Sequence, residues 1–262
     1  MTCTAQGMPP SAPFQKVTLL MKIIFPVLLF VALAGCAEKQ EVFDPTALFK
    51  QAEENMVKGS YEKARKEYQE IQEKAPDRSY DPALMLRIAD TYFGEEKYDE
   101  ARVEYQAFLN YHPVNKDAAY AQFQVAMCSF NQFETIDRDP EPVRTAVKEF
   151  EVLKSKYPKS RYEEQAISNI SLSRERLAAY ELYVGRFYHK KGSYLAASKR
   201  LEKLLQDYPG STTEKDALYY AGLSYQALGR RDDALREFEL LVKKYPSMQD
   251  TVGPLISVLK SK

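Results

Sequence analysis

The sequence predicts an all-α protein built of five helix hairpins, and three observations carry that prediction. First, a phrase closing on proline recurs as Lys156-Tyr157-Pro158, Asp207-Tyr208-Pro209 and Lys244-Tyr245-Pro246, after two worn copies, Lys74-Ala75-Pro76 and Tyr111-His112-Pro113. Second, the residue twelve places before each proline is alanine (Ala64, Ala101, Ala146, Ala197, Ala234). The residue eight before is bulky (Tyr68, Tyr105, Phe150, Leu201, Phe238) and the residue five before is apolar (Ile71, Phe108, Leu153, Leu204, Leu241). Such spacing gives each hairpin an apolar stripe that it cannot bury alone, so neighbours must stack. Third, only 10 of 262 residues are glycine, while Ala, Leu, Glu, Lys and Arg abound, a composition that favours helix over sheet. Lys plus Arg equals Asp plus Glu, 37 each, so no global positive field recruits nucleic acid.

The first element is a leader. Met21-Lys22 precedes a run of 13 residues, largely apolar, that ends at Cys36, too short for a comfortable membrane span and suited to a secretory signal. Residues 1–35 are read as signal peptide with Met21 as the true start, since Met21 alone opens a complete leader. Leu33-Ala34-Gly35-Cys36 resembles a bacterial lipobox. That resemblance implies cleavage before Cys36, a diacylglycerol thioether on its sulfur and acylation of the new N-terminus; several chains together anchor stably where one is marginal. Residue 37 is Ala rather than Asp, which in enteric bacteria implies passage to the outer membrane. Residues 36–44 form the lipidated tether, and Asp44-Pro45 reads as a helix cap with proline at the first helical position.

The repeats follow within residues 45–262, near 45–76, 82–113, 119–158, 178–209 and 215–246. In the first, Gly59 ends one helix and Tyr61 packs at the turn. Ala89, Gly185 and Gly222 each lie twelve residues before a repeat alanine, where a small side chain lets two antiparallel helices approach closely. The prolines are 37 residues apart from Pro76 to Pro113 and from Pro209 to Pro246, but 45 apart from Pro113 to Pro158 and 51 from Pro158 to Pro209. The 45-residue step holds the insert 134–142, and the 51-residue step holds a long helix over 160–192. The tail from Thr251 to Lys262 carries no motif.

The small–aromatic–alanine–aromatic–proline order resembles the tetratricopeptide repeat, which implies a right-handed superhelix of five helix hairpins. Asp137-Arg138-Asp139-Pro140, the stretch 157–162 and the stretch 176–197 fall in an order and spacing similar to the BamD family of outer-membrane assembly lipoproteins. That resemblance implies a lipid-anchored scaffold on the periplasmic face of the outer membrane. Its implied partners are the barrel-forming subunit and other lipoproteins of the β-barrel assembly machine, and unfolded outer-membrane proteins. A Tol-Pal-associated repeat adaptor is the alternative, but that family usually carries a coiled coil before its repeats, and eight residues after Cys36 leave no room for heptads.

Enzymatic chemistry is not expected. His112 and His189 have no metal-ligand spacing to a partner, no glycine pair forms a phosphate loop, and no catalytic residue, cofactor or metal is assigned. With Cys3 lost and Cys36 lipidated, Cys128 is alone, and its apolar surroundings predict a buried inert thiol.

Recognition is expected instead. In such repeats the first helix lines a groove, at its second, fifth, ninth and twelfth positions. The register places Phe49, Glu53 and Met56 there in repeat one, Leu86, Asp90 and Phe93 in repeat two, and Tyr120, Phe123, Met127 and Phe130 in repeat three. In repeat four it places Ala179, Leu182, Arg186 and His189. Phe49, Met56, Leu86, Phe93, Tyr120, Phe123 and Phe130 are therefore candidate contacts for an extended or helical peptide. Lys199, Arg200 and Lys203 form a basic helix face on which, by the family resemblance, the barrel subunit docks.

Overall fold

A computed structural model of the chain describes Thr2 and residues 43–75, 81–133 and 135–261. The leader, Cys36 and the tether as far as residue 42 lie outside the described residues, as do Pro76 and Glu134. Residues 45–262 form one compact unit. Its helices pair in chain order: α1 (Pro45–Val57) with α2 (Tyr61–Lys74), and α3 (Asp81–Gly94) with α4 (Tyr98–Tyr111). Next come α5 (Ala118–Asn131) with α6 (Glu141–Lys156), α7 (Glu163–Lys190) with α8 (Tyr194–Asp207), and α9 (Glu214–Ala227) with α10 (Arg231–Lys244). A 3-10 turn, Pro246–Met248, then leads into α11 (Gln249–Ser261). No strand occurs among the described residues.

The proline-anchored pattern is the core. All fifteen residues found twelve, eight and five places before the prolines are fully buried. Their steps of four and three follow the helical repeat, so each second helix turns one continuous apolar stripe toward its neighbours. The small positions on the first helices receive the bulky side chains of the second. A Cβ on Gly185 would lie 2.7 Å from Leu201 Cδ2, closer than carbon atoms approach. Tyr61 likewise fills the space above Gly94 of the next hairpin.

The irregular spacings are absorbed in two ways. Residues 132–133 and 135–140, between α5 and α6, are not helical. The 51-residue step becomes α7, a helix of 28 residues that serves two cores. Ala166 and Ile170 pack with Phe150 and Leu153 of the third hairpin, whereas Leu177, Ala178 and Leu182 pack with Leu201, Leu218 and Phe238 of the fourth and fifth. The tail without a motif is α11, whose Val252 and Leu259 join that last core.

Four hairpin turns among the described residues share one hydrogen-bond pattern, the Glu96-Lys97 turn included. The Gly59 N–H donates to the Met56 carbonyl at 3.0 Å and the Ser60 N–H to the Asn55 carbonyl at 2.8 Å, and Gly192-Ser193 and Gly229-Arg230 repeat it. This is the Schellman arrangement, which needs a left-handed residue after the helix. Glycine supplies it at Gly59, Gly192 and Gly229, but in the second hairpin Glu96 takes the same place at φ 60°.

Candidate partner-binding surfaces

Three surfaces bear on recognition. The first is the α1–α3–α5 face, where the register placed its groove. Carboxylates at the ninth positions are wired to neighbouring helices: the Tyr68 hydroxyl donates to Glu53 at 2.5 Å, and those of Tyr105 and Tyr120 both donate to Asp90 at 2.6 Å. Arg87 bridges the carboxylates, its Nε 2.7 Å from Glu53 and its Nη1 3.1 Å from Asp90. Gln124 donates to the Tyr120 hydroxyl at 3.1 Å. Burial, followed by the adjoining Glu53 carboxylate, pushes the Tyr68 phenol well above its ordinary value, and burial with Asp90 does the same to Tyr105. The phenols therefore remain donors, and the network cross-links three hairpins.

Of the seven apolar groove candidates, five are half-buried: Phe49, Met56, Phe93, Tyr120 and Phe123. Phe123 stacks on Tyr162 with ring centroids 5.0 Å apart, and Phe49 meets Tyr68 edge-on at 5.5 Å. Leu86 and Phe130 require correction, because both are buried. Leu86 joins Ala89, Tyr105 and Phe108 in the second core. Phe130 packs against Phe150 and is covered by the Arg176 guanidinium, 4.3 Å from its ring centroid. Arg176 comes from the extra turns of α7, which a register counted within one hairpin does not see.

The second surface is the basic face of α8. Lys199 and Lys203 are exposed. Arg200 is engaged inward: its Nη1 lies 2.9 Å from Oε2 of Glu181, a fully buried carboxylate whose other oxygen is 3.4 Å from Arg144 Nη2. Glu181 on α7 is thus held between cations from α6 and α8. A buried carboxylate needs such partners, so Arg200 is first an internal counter-ion and only partly a surface cation. The sequence carried a signal for it, since Glu181 interrupts the apolar stripe Leu177, Ala178, Leu182 and Gly185.

The third surface is an open cleft of about 680 Å³ between α7 and α9. The register positions of repeat four, Ala179, Leu182, Arg186 and His189, all line it. Tyr183 and Phe187, which the register passed over, also line it and are exposed, together with Tyr220 of α9. Their spacing of four on one helix was the signal available. His189 Nδ1 is 2.9 Å from Ser224 Oγ, and burial lowers its pKa, which favours the neutral ring.

Among the described residues, no helix is long and apolar enough to cross a membrane, and no cluster of His, Cys, Asp or Glu is arranged to hold a metal ion. Cys128 is buried, and burial pushes its thiol up to about 12. Stacked helix hairpins carrying an aromatic and charged face define a tetratricopeptide-like helical repeat protein. The YfiO family of outer membrane lipoproteins matches residues 42–237 of the sequence. The chain belongs to that family, whose relatives include the outer membrane protein assembly factors BamD. BamD of Rickettsia prowazekii (strain Madrid E) is 29% identical over 236 residues, covering 88% of this chain and 93% of the relative. BamD of Neisseria meningitidis serogroup A is 25% identical over 246 residues, covering 87% and 92%. BamD of Vibrio cholerae is 35% identical over 105 residues, covering 40% of this chain and 44% of that one. Among solved structures, a MamA protein covers 79% of this chain and 94% of its own at 17% identity and a TM-score of 0.37.

Proposed function

We propose that this protein is an outer-membrane protein assembly factor: a non-enzymatic lipoprotein scaffold, anchored through Cys36 on the periplasmic face of the outer membrane. The observation that carries this reading is the family match over residues 42–237, joined by relatives named as assembly factors that align over nine-tenths of their own length. The scaffold holds the barrel-forming subunit and receives unfolded outer-membrane proteins. The lipobox at Leu33–Cys36 supports the anchor, and the half-buried aromatics of the α1–α3–α5 face support peptide capture, since such side chains supply contact area at low entropic cost.

The test is affinity purification of the tagged full chain from detergent-solubilised envelope. Stoichiometric recovery of a large outer-membrane barrel protein supports the reading; its absence overturns it. The docking face is tested by Lys199→Glu with Lys203→Glu, because Arg200→Glu would also strand Glu181 and confuse docking with folding. The pair of reversals should weaken co-purification while leaving the thermal midpoint unchanged. A Cys36→Ser chain should leave the outer-membrane fraction, and unchanged fractionation would remove the anchor from the proposal.

A further inference from the structure

We infer that the cavity between α4, α5 and α6 binds a neutral sugar carrying an acetamido group. The inference stands on this cavity alone, goes beyond the assembly role and does not depend on it.

The cavity holds about 730 Å³, within the range of sites that enclose a small ligand. Gln106, Leu109 and Asn110 come from one face of α4, and Glu149, Val152 and Lys156 from one face of α6, each set at steps of three and four. Gln122 of α5 and Tyr157, just past the end of α6, complete the wall. Gln122 anchors the site. It is only 4% exposed, and its Nε2 donates to the Glu149 carbonyl at 3.3 Å and to Glu149 Oε2 at 2.8 Å. Two acceptors fix which end of the amide faces Glu149, so Oε1 is the acceptor left over. That oxygen has no partner in the protein, yet it is not sealed from solvent. A polar atom in so buried a side chain is normally hydrogen-bonded, to the protein or to a molecule beside it.

The wall selects the occupant. Ligand sites are usually lined mainly by apolar groups, but this one gathers three carboxamides, Gln106, Asn110 and Gln122. Among the described residues, the side chains of Gln106 and Asn110 and the Tyr157 hydroxyl have no hydrogen-bond partner in the protein. A carboxamide presents an N–H beside a C=O, the complement of the C=O and N–H of an acetamido group and of the hydroxyls of a sugar ring. Leu109 and Val152 supply apolar surface for the acetyl methyl and for the C–H edge of the ring. Burial raises the Tyr157 phenol above its ordinary value, so it stays a donor, on an aromatic ring against which a sugar can rest. Glu149 and Lys156 stand about two turns apart on α6 and carry opposite charges, so the wall has no net charge to draw an anion or a cation. Many polar groups, no net charge and a small apolar area match a neutral N-acetylated sugar better than a fatty, acidic or basic ligand.

The test is isothermal titration calorimetry of the full chain, in a detergent that carries no sugar, with N,N′-diacetylchitobiose, cellobiose and the dipeptide Ala-Ala. The first should bind about tenfold more tightly than cellobiose, which lacks the acetamido groups, and Ala-Ala should not bind. Gln106→Ala with Asn110→Ala, neither at a core position, should remove about that tenfold preference with an unchanged thermal midpoint. Gln122→Met replaces both ends of the buried amide at nearly constant volume, and the folded variant should lose binding too. Equal binding of the two disaccharides overturns the inference, and so does undiminished binding to the folded Gln106→Ala, Asn110→Ala chain. Binding of Ala-Ala alone overturns it in favour of a zwitterion held between Glu149 and Lys156, and binding of none of the three overturns it outright.

Discussion

Gly222 on α9 and Phe238 on α10 occupy each other's space: a Cβ on Gly222 would sit 2.5 Å from Phe238 Cε1, and the Phe238 ring is fully buried. The glycine is the socket and the aromatic the plug, two register positions of one repeat. Gly222→Ala gains about 1 kcal/mol of helix propensity but forces that ring off its site. Overpacking of this kind outweighs the gain, and the net cost should be about 1–3 kcal/mol. Urea denaturation of Gly222→Ala, Phe238→Leu and the double variant checks it. A double variant no better than the sum of the singles would show that the two residues are not matched.

Glu96 should be a correctable strain. It sits at φ 60° in the turn position that glycine fills in three other hairpins. A left-handed conformation costs a residue with a Cβ about 1 kcal/mol. Glu96→Gly should therefore raise stability by about 0.5–1 kcal/mol, and Gly192→Ala should lower it by about 1 kcal/mol. Midpoints of chemical denaturation that move together in one direction would contradict this.

The Glu181 triad should tolerate loss of one cation far better than loss of its carboxylate. Glu181→Gln leaves Arg144 and Arg200 facing each other with no compensating charge, and should cost about 3 kcal/mol. Arg200→Leu leaves Arg144 in place and should cost less. A larger loss for Arg200→Leu than for Glu181→Gln in thermal unfolding would refute this order.

Acid should weaken the fifth hairpin through the last Tyr-Pro phrase. Lys244 Nζ donates to Glu214 at 2.6 Å and the Tyr245 hydroxyl at 2.9 Å, tying the end of α10 to the start of α9. Burial pushes the Glu214 carboxyl up, but the hydrogen bonds from Lys244 and Tyr245 outweigh it and hold the group below its ordinary 4.5. With the folded value depressed, this stabilisation is complete above the unfolded value and drains away as pH falls through the folded one. Comparing the wild type with Glu214→Gln from pH 7 to about 3 should show the two stability curves converging in acid. Parallel curves would remove Glu214 from the acid response.

Much of the fold was legible because the repeat writes its packing locally. Alanine at twelve, a bulky residue at eight and an apolar one at five lie on one helical stripe, so burial of that stripe follows from spacing alone. The sockets at Gly185 and Gly222 were legible for the same reason. The α1–α3–α5 face was legible only in part. Its ninth-position carboxylates are where the register put them, but Leu86 and Phe130 disappear into cores that neighbouring hairpins close.

By itself, then, the sequence determined the helices, their pairing order and the core positions, because these depend on steps of three and four residues along one helix. Its long steps also marked where the repeat departs from regularity. Tertiary structure alone decided what those departures do. The 51-residue step became one helix shared by two cores, whose extra turns bring Arg176 over Phe130. Its second half also carries a buried carboxylate that draws Arg200 inward and leaves Tyr183 and Phe187 facing an open cleft. Contacts of this kind join residues 19 to 46 apart, and no local period encodes them. They exist only once α5, α6, α7, α8 and α9 are packed, because a charge or an aromatic ring is spent or spared according to what the neighbouring helix brings.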